Sequence, residues 1–149
     1  MRQAYRASIL HFIADPDVVE ADESYQYWND GILLVEDGHV VQVGEAETLL
    51  SALPDSQPVT AYPNCLITPG FVDTHIHYPQ MEMIAAFGKQ LLEWLNTYTF
   101  PLEAKFSDPA YAQEIANRFL DELLRCGTTT ALVFGTVHKE SVDAFFQAS

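Results

Sequence analysis

His75 and His77 close the run Thr68-Pro69-Gly70-Phe71-Val72-Asp73-Thr74-His75-Ile76-His77. A Pro-Gly turn opens that run and strand-forming residues follow it, so it predicts a strand ending in His-x-His. Successive side chains of a strand leave on opposite faces. The two imidazoles therefore share one face, about 6–7 Å apart at the backbone. So placed, they can converge on one metal ion, and neutral imidazole suits zinc as well as iron, nickel or copper.

Neighbouring residues are weighed against that pair. Asp73 lies one pleat deeper on the same face and is read as a carboxylate supporting the ligands, too far back along the strand to be one itself. Gln80 follows His77 by three residues, past Pro79. Its amide offers donors and an acceptor, which matches the edge of a purine or pyrimidine, although an isolated loop glutamine more often faces solvent. His138 is expected at the surface or at a helix cap, and His11 and His39 at ordinary strand positions. Glu82, Glu93 and Glu103 could carry protons, but nothing in the sequence brings them to the histidines. Glu93, inside an amphipathic segment, reads as structural. No Ser or Cys sits in a G-x-S-x-G turn, and there is no phosphate-cradling glycine loop.

The elements that must position these residues fall into two styles. Ala7–Phe12 is an expected first strand. Gly31–Val35 and His39–Gly44 flank Glu36-Asp37-Gly38, a hairpin signal. Ala14–Asn29, polar and aromatic, reads as a loop, and so does 55–63. Glu45–Leu53 is an expected short helix stopped by Pro54, and Asn64–Ile67 a short strand. Beyond Pro69 the pattern changes to strand, helix, strand, helix. Phe71–His75 is strand-like and Lys89–Thr97 helix-like. Ser107-Asp108-Pro109 starts a helix whose apolar positions Ala112, Ile115, Ala116, Phe119, Leu120, Leu123 and Leu124 recur at helical spacing up to Gly127. Thr128–Phe134 is an apolar, β-branched run expected to be buried on both faces, and a further helix starts at Ser141. This alternation predicts an α/β fold with parallel strands, which places His75 and His77 at a strand's C-terminal end, the face where α/β barrels keep their active sites.

The chain has 149 residues, 48% of them hydrophobic, which suits a globular protein rather than a disordered one. Seven Lys and Arg against 21 Asp and Glu give a net charge of −14, a field that repels phosphate backbones and argues against nucleic-acid binding. A neutral base in a pocket is still compatible with it. No run approaches the roughly 18 apolar residues of a membrane span, and Arg2 and Arg6 are not followed by a secretory apolar core. Cys65 and Cys126 have no CxxC spacing and are read as two reduced core thiols, so the expected location is cytoplasmic.

Pro69 to His77 resembles the first-strand signature of the metal-dependent amidohydrolase superfamily. Tyr78-Pro79-Gln80, Gln90-Leu91-Leu92-Glu93-Trp94-Leu95-Asn96-Thr97-Tyr98-Thr99-Phe100-Pro101, and Gly127 to His138 are similar to its guanine deaminase branch. The resemblance implies a TIM-like (β/α)₈ metal-dependent hydrolase barrel joined to a small β-sandwich. Residues 1–68 would be the N-terminal part of that composite sandwich, and 69–149 the first two βα units of the barrel. It implies one Zn²⁺ per full-length subunit with His75 and His77 among its ligands, Gln80 with His77 beside it meeting the guanine ring, water as co-substrate, and a homodimer. A whole barrel takes about 250 residues. The expectation is therefore that this chain is the N-terminal portion of a larger enzyme and inactive alone, with the remaining ligands and the acid–base glutamate expected beyond Ser149. The alternatives are another amidohydrolase acting on a heterocyclic amine, such as a cytosine- or adenosine-type deaminase or a triazine hydrolase, and a non-catalytic fragment.

Overall fold

Alternating apolar residues build the first sheet. In the computed structural model, which describes residues 1–88 and 90–149, four strands are β1 (Arg2–Phe12), β2 (Tyr25–Glu36), β3 (His39–Glu45) and β4 (Val59–Ile67). Their order is β3-β2-β1-β4, with β1 antiparallel to β2, β2 antiparallel to β3, and β1 parallel to β4. Asp37 and Gly38 adopt φ of 51° and 83°, the left-handed pair that a two-residue hairpin needs. Helix α1 (Ala46–Ala52) lays Ala46 and Leu49 on Ala4, Ile32 and Leu34. Arg6 grips both carboxylate oxygens of Asp30 at 2.7 and 2.6 Å, which holds that carboxyl below its ordinary range. The pair is exposed and contributes little to stability.

Two stretches expected as loops are partly strand. Tyr25–Asn29 belongs to β2, where Phe12 pairs with Tyr25 and Leu10 with Tyr27. Polar residues between exposed rings hid it, although aromatic residues favour a pleated surface. Val59–Pro63 belongs to β4, whose register against β1 shifts between Arg6 and Ser8. Pro63 and Asn64 fall in that irregularity, where a missing N–H is tolerated, and Asn64 takes φ 60°.

Residues 70–149 form a second compact unit, distinct from residues 1–69. Strand β5 (Phe71–His77) pairs in parallel with β6 (Thr128–Phe134). A single 3₁₀ run, Tyr78–Met83, follows β5. The helix expected over Lys89–Thr97 begins on a residue outside those described. From Leu91 the chain runs as α2 (Leu91–Trp94), a π-helical turn (Leu95–Thr99), α3 (Phe100–Glu103) and a 3₁₀ turn to Ser107. Pro101 has no N–H to give the preceding turn, and the helix widens just before it. Asp108 then caps α4 (Pro109–Arg125) by accepting from the Ala110 amide at 2.9 Å. Gly127, at φ 82°, ends the helix region. Helix α5 (Lys139–Ala148) starts two residues earlier than Ser141.

The core of this unit is aromatic. Tyr78 and Phe106 meet edge to face at 5.3 Å, with Ile115, Phe119 and Ala144 around them. The expectation that β6 is buried on both faces is not met: Leu132 is 63% and Phe134 43% exposed. The two cysteines are free, as expected, but exposed rather than in the core. Cys65 lies on β4, where nearly every residue is open, and Cys126 at the outer end of α4.

Gly70 is required by close packing. A Cβ there would come within 2.7 Å of Thr129 Cβ and nearer still to its hydroxyl and methyl. Rotating a branched side chain does not relieve a clash at its own Cβ, so backbone must move. Gly70→Ala is expected to cost about 1–3 kcal/mol in chemical denaturation. A variant as stable as the wild type would show that the β5–β6 start has slack.

Candidate metal centre

The site grows from the last residues of β5. His75 Nε2 and His77 Nε2 face each other at 3.2 Å. Phe134, the parallel-register partner of His77, supplies a common wall, with its ring centroid 4.7 Å from each imidazole and stacked on His77 at 13°. Sequence reasoning missed Phe134, and the signal available was the pairing of two parallel strand ends.

Asp73 does not extend the histidine face by simple alternation. The β5–β6 register slips between Asp73 and Ile76. The Asp73 carboxylate accepts the His75 amide at 3.0 Å, so it braces the backbone from which the imidazole projects. Among the described residues, no group of three or more His, Cys, Asp or Glu side chains is placed to hold a metal.

Two ligands on a tetrahedral ion at zinc–imidazole distances stand about 3.3–3.4 Å apart. The Nε2 separation of 3.2 Å matches that spacing, and it also matches a direct N–H···N bond between the rings. The donor set thus fits one edge of a zinc tetrahedron and leaves the other positions to further groups.

The 3₁₀ turn after β5 carries Gln80 back beside His77. Pro79, buried within the turn, and Tyr78, locked in the aromatic core, fix its start. Gln80 Nε2 donates to Glu103 Oε1 at 3.1 Å and lies 3.5 Å from His77 Nδ1. Gln80 thus lies beside His77, and Glu103, which nothing in the sequence brought to the histidines, reaches the site through Gln80. The π turn before Pro101 alters the helical phase on the way, so regular spacing could not have located it. Glu82 is engaged elsewhere, accepting from the Tyr111 hydroxyl at 2.7 Å and pairing with Arg118 at 3.6 Å and Lys105 at 3.9 Å. Burial, then the Glu82 hydrogen bond, raise the Tyr111 pKa well above the ordinary phenol range. His138 occupies the N-cap position of α5 without a side-chain cap bond, and His39 and His11 lie on strands.

A strand-end imidazole pair on a parallel sheet thus stands beside an amide at the following turn. Residues 66–149 match the amidohydrolase family, and the chain belongs to it. It is 53% identical over 130 residues to guanine deaminase of Escherichia coli (strain K12), covering 87% of this chain and 30% of that protein. A probable guanine deaminase of Deinococcus radiodurans is 42% identical over 147 residues, covering 95% of this chain and 33% of that protein. The solved E. coli guanine deaminase superposes with a TM-score of 0.88 at 49% identity over 98% of this chain and 34% of that one. A guanine deaminase from C. acetobutylicum with bound guanine in the active site gives 0.77 at 30% identity, over 99% and 33%. The chain spans about a third of the length of the curated relatives it matches. Among the described residues, no helix is long and apolar enough to cross a membrane.

Proposed function

We propose that this chain is the N-terminal portion of a zinc-dependent guanine deaminase, which converts guanine and water to xanthine and ammonia. The observation that carries the reading is the opposed pair of Nε2 atoms at 3.2 Å with Gln80 alongside, in a chain similar to guanine deaminases along most of its length. In this reading residues 1–68 contribute to a composite β-sandwich and 69–149 open a (β/α)₈ barrel. The family resemblance adds a homodimer.

His75 and His77 would hold the ion, each through Nε2, while Phe134 walls both rings and Asp73 braces the strand. Zinc in that position would supply Lewis acidity, making water a competent nucleophile near neutral pH. The side chains here orient the reactants. Gln80, reading the base edge, sets the ring so that the carbon bearing the amino group faces the histidine pair. A site that pairs particular polar edges rejects a base lacking them, because its own groups would be left unpaired. Proton transfer from water to the ring and the departing amine falls to a carboxylate from outside these 149 residues.

The test is made on the full-length protein, with metal content measured alongside turnover of guanine, cytosine and adenosine. Xanthine and ammonia should form in equal amounts from guanine alone, with one zinc per subunit. Metal-replete protein that turns over another base and leaves guanine untouched would refute the substrate assignment.

A further inference from the structure

Glu103 stands outside the histidine pair, yet it makes the shortest polar contact that Gln80 has. Gln80 Nε2 donates to Glu103 Oε1 at 3.1 Å, across 23 residues of sequence, and both side chains are part-buried. An ionised carboxylate can only accept, so the amide atom facing it must be the nitrogen. The other neighbour of that nitrogen, His77 Nδ1, is 3.5 Å away, at the outer limit of a hydrogen bond. An imidazole that gives Nε2 to a metal keeps its proton on Nδ1 and cannot accept there. His77 Nδ1–H would instead favour the amide oxygen, at the longer distance of 3.5 Å, so Glu103, the nearer partner at 3.1 Å and an acceptor, is what holds the Gln80 nitrogen on its own side.

We propose that Glu103 is a positioning residue that locks the Gln80 amide with its nitrogen turned away and its carbonyl oxygen Oε1 presented to the substrate. The inference rests on the guanine deaminase reading and specifies its chemistry: the ligand edge that meets Gln80 must be an N–H donor. Guanine and related lactam bases carry such donors on the ring and the exocyclic amine. A base offering only lone pairs at that edge would face oxygen against lone pair and be rejected. Without Glu103 the amide can flip, and part of the population would present the wrong atom.

The experiment is a double-mutant cycle in the zinc-loaded, full-length enzyme, combining Glu103→Gln, Gln80→Ala and both together. Glu103→Gln keeps size but can donate or accept, so it no longer dictates the amide's orientation. Loss of one oriented hydrogen bond should raise KM for guanine, and the equilibrium Kd of the product xanthine, about tenfold, with kcat changed less than about threefold. Zinc content and melting temperature should match the wild type. In the Gln80→Ala background, Glu103→Gln should add nothing further, since there is no amide left to orient. If Glu103→Gln lowers the melting temperature, Glu103→Asp replaces it in the same cycle and should raise KM less, because a carboxylate persists. An effect of Glu103→Gln that multiplies in full on Gln80→Ala, or an unchanged KM, overturns the positioning role while guanine turnover by the wild type stands. Wild-type enzyme without guanine turnover overturns the functional reading and this inference with it.

Discussion

Changing His77 to alanine in the full-length protein should remove most of the bound zinc and lower xanthine formation more than about 100-fold. Even residues that merely support a ligand cost about 10–100-fold in affinity or activity when lost, so removal of a ligand sits at or beyond the top of that range. His75→Ala should behave alike, since in the proposed site the two Nε2 atoms, 3.2 Å apart, hold the ion together. The fold should survive both changes. His75 is exposed and His77 half-buried, and their contacts with Phe134 lie at the open end of the strands rather than in the core built on Tyr78 and Phe106. Zinc analysis, turnover and circular dichroism on the same preparations separate the possibilities. Either variant retaining full zinc and full turnover would take the pair out of the mechanism.

The second large effect concerns stability. Tyr78 is 1% exposed and packs its ring against Phe106, Phe119 and Phe145 while its hydroxyl donates to the Ser141 carbonyl. Tyr78→Ala should destabilise the full-length protein by about 3–5 kcal/mol, the range for emptying a buried aromatic site. Tyr78→Phe keeps the ring and should cost about 0.5–1.5 kcal/mol, the net worth of one hydrogen bond. Burial pushes the Tyr78 hydroxyl up to about 12. The unfolded chain ionises its tyrosines near about 10. The folded state therefore holds this proton more tightly. Its contribution is complete below pH about 10 and is lost as pH rises through the interval up to the folded value. Tyr111, raised as well, keeps part of that alkaline loss in any variant. The quantity to measure is thus the difference between wild type and Tyr78→Phe in denaturant titrations across that window. Parallel profiles would mean that Tyr78 titrates normally.

The site was legible in the sequence as far as local periodicity reaches. A period of two was enough to set His75 and His77 side by side, and helical spacing was enough to find the buried stripe of α4 from Ala112 to Phe119. Both depend only on neighbours along one element. Phe134 and Glu103 depend on how separate elements meet, and two irregularities stood between spacing and position: a register slip inside β5–β6 and a π turn ahead of Pro101. The missed halves of β2 and β4 have a similar cause. Their residues are polar or interrupted by proline, and it is cross-strand pairing with β1 that makes them strands. The cysteines were assigned to the core from residue type, which ignores that β4 and the end of α4 face outward.

The place of β1 between β2 and β4 has a kinetic consequence. The β2–β3 ribbon closes through a two-residue turn and can form in about 1–10 μs. Pairing of Ala4 with Val59 must instead close a long stretch of chain, and parallel pairing at such separation is slow because loop entropy is lost before contacts repay it. Of these four strands, β1 is thus made before the others and has its second edge satisfied last. Until Val59–Ile67 arrives, that edge is a sticky template for other nascent chains.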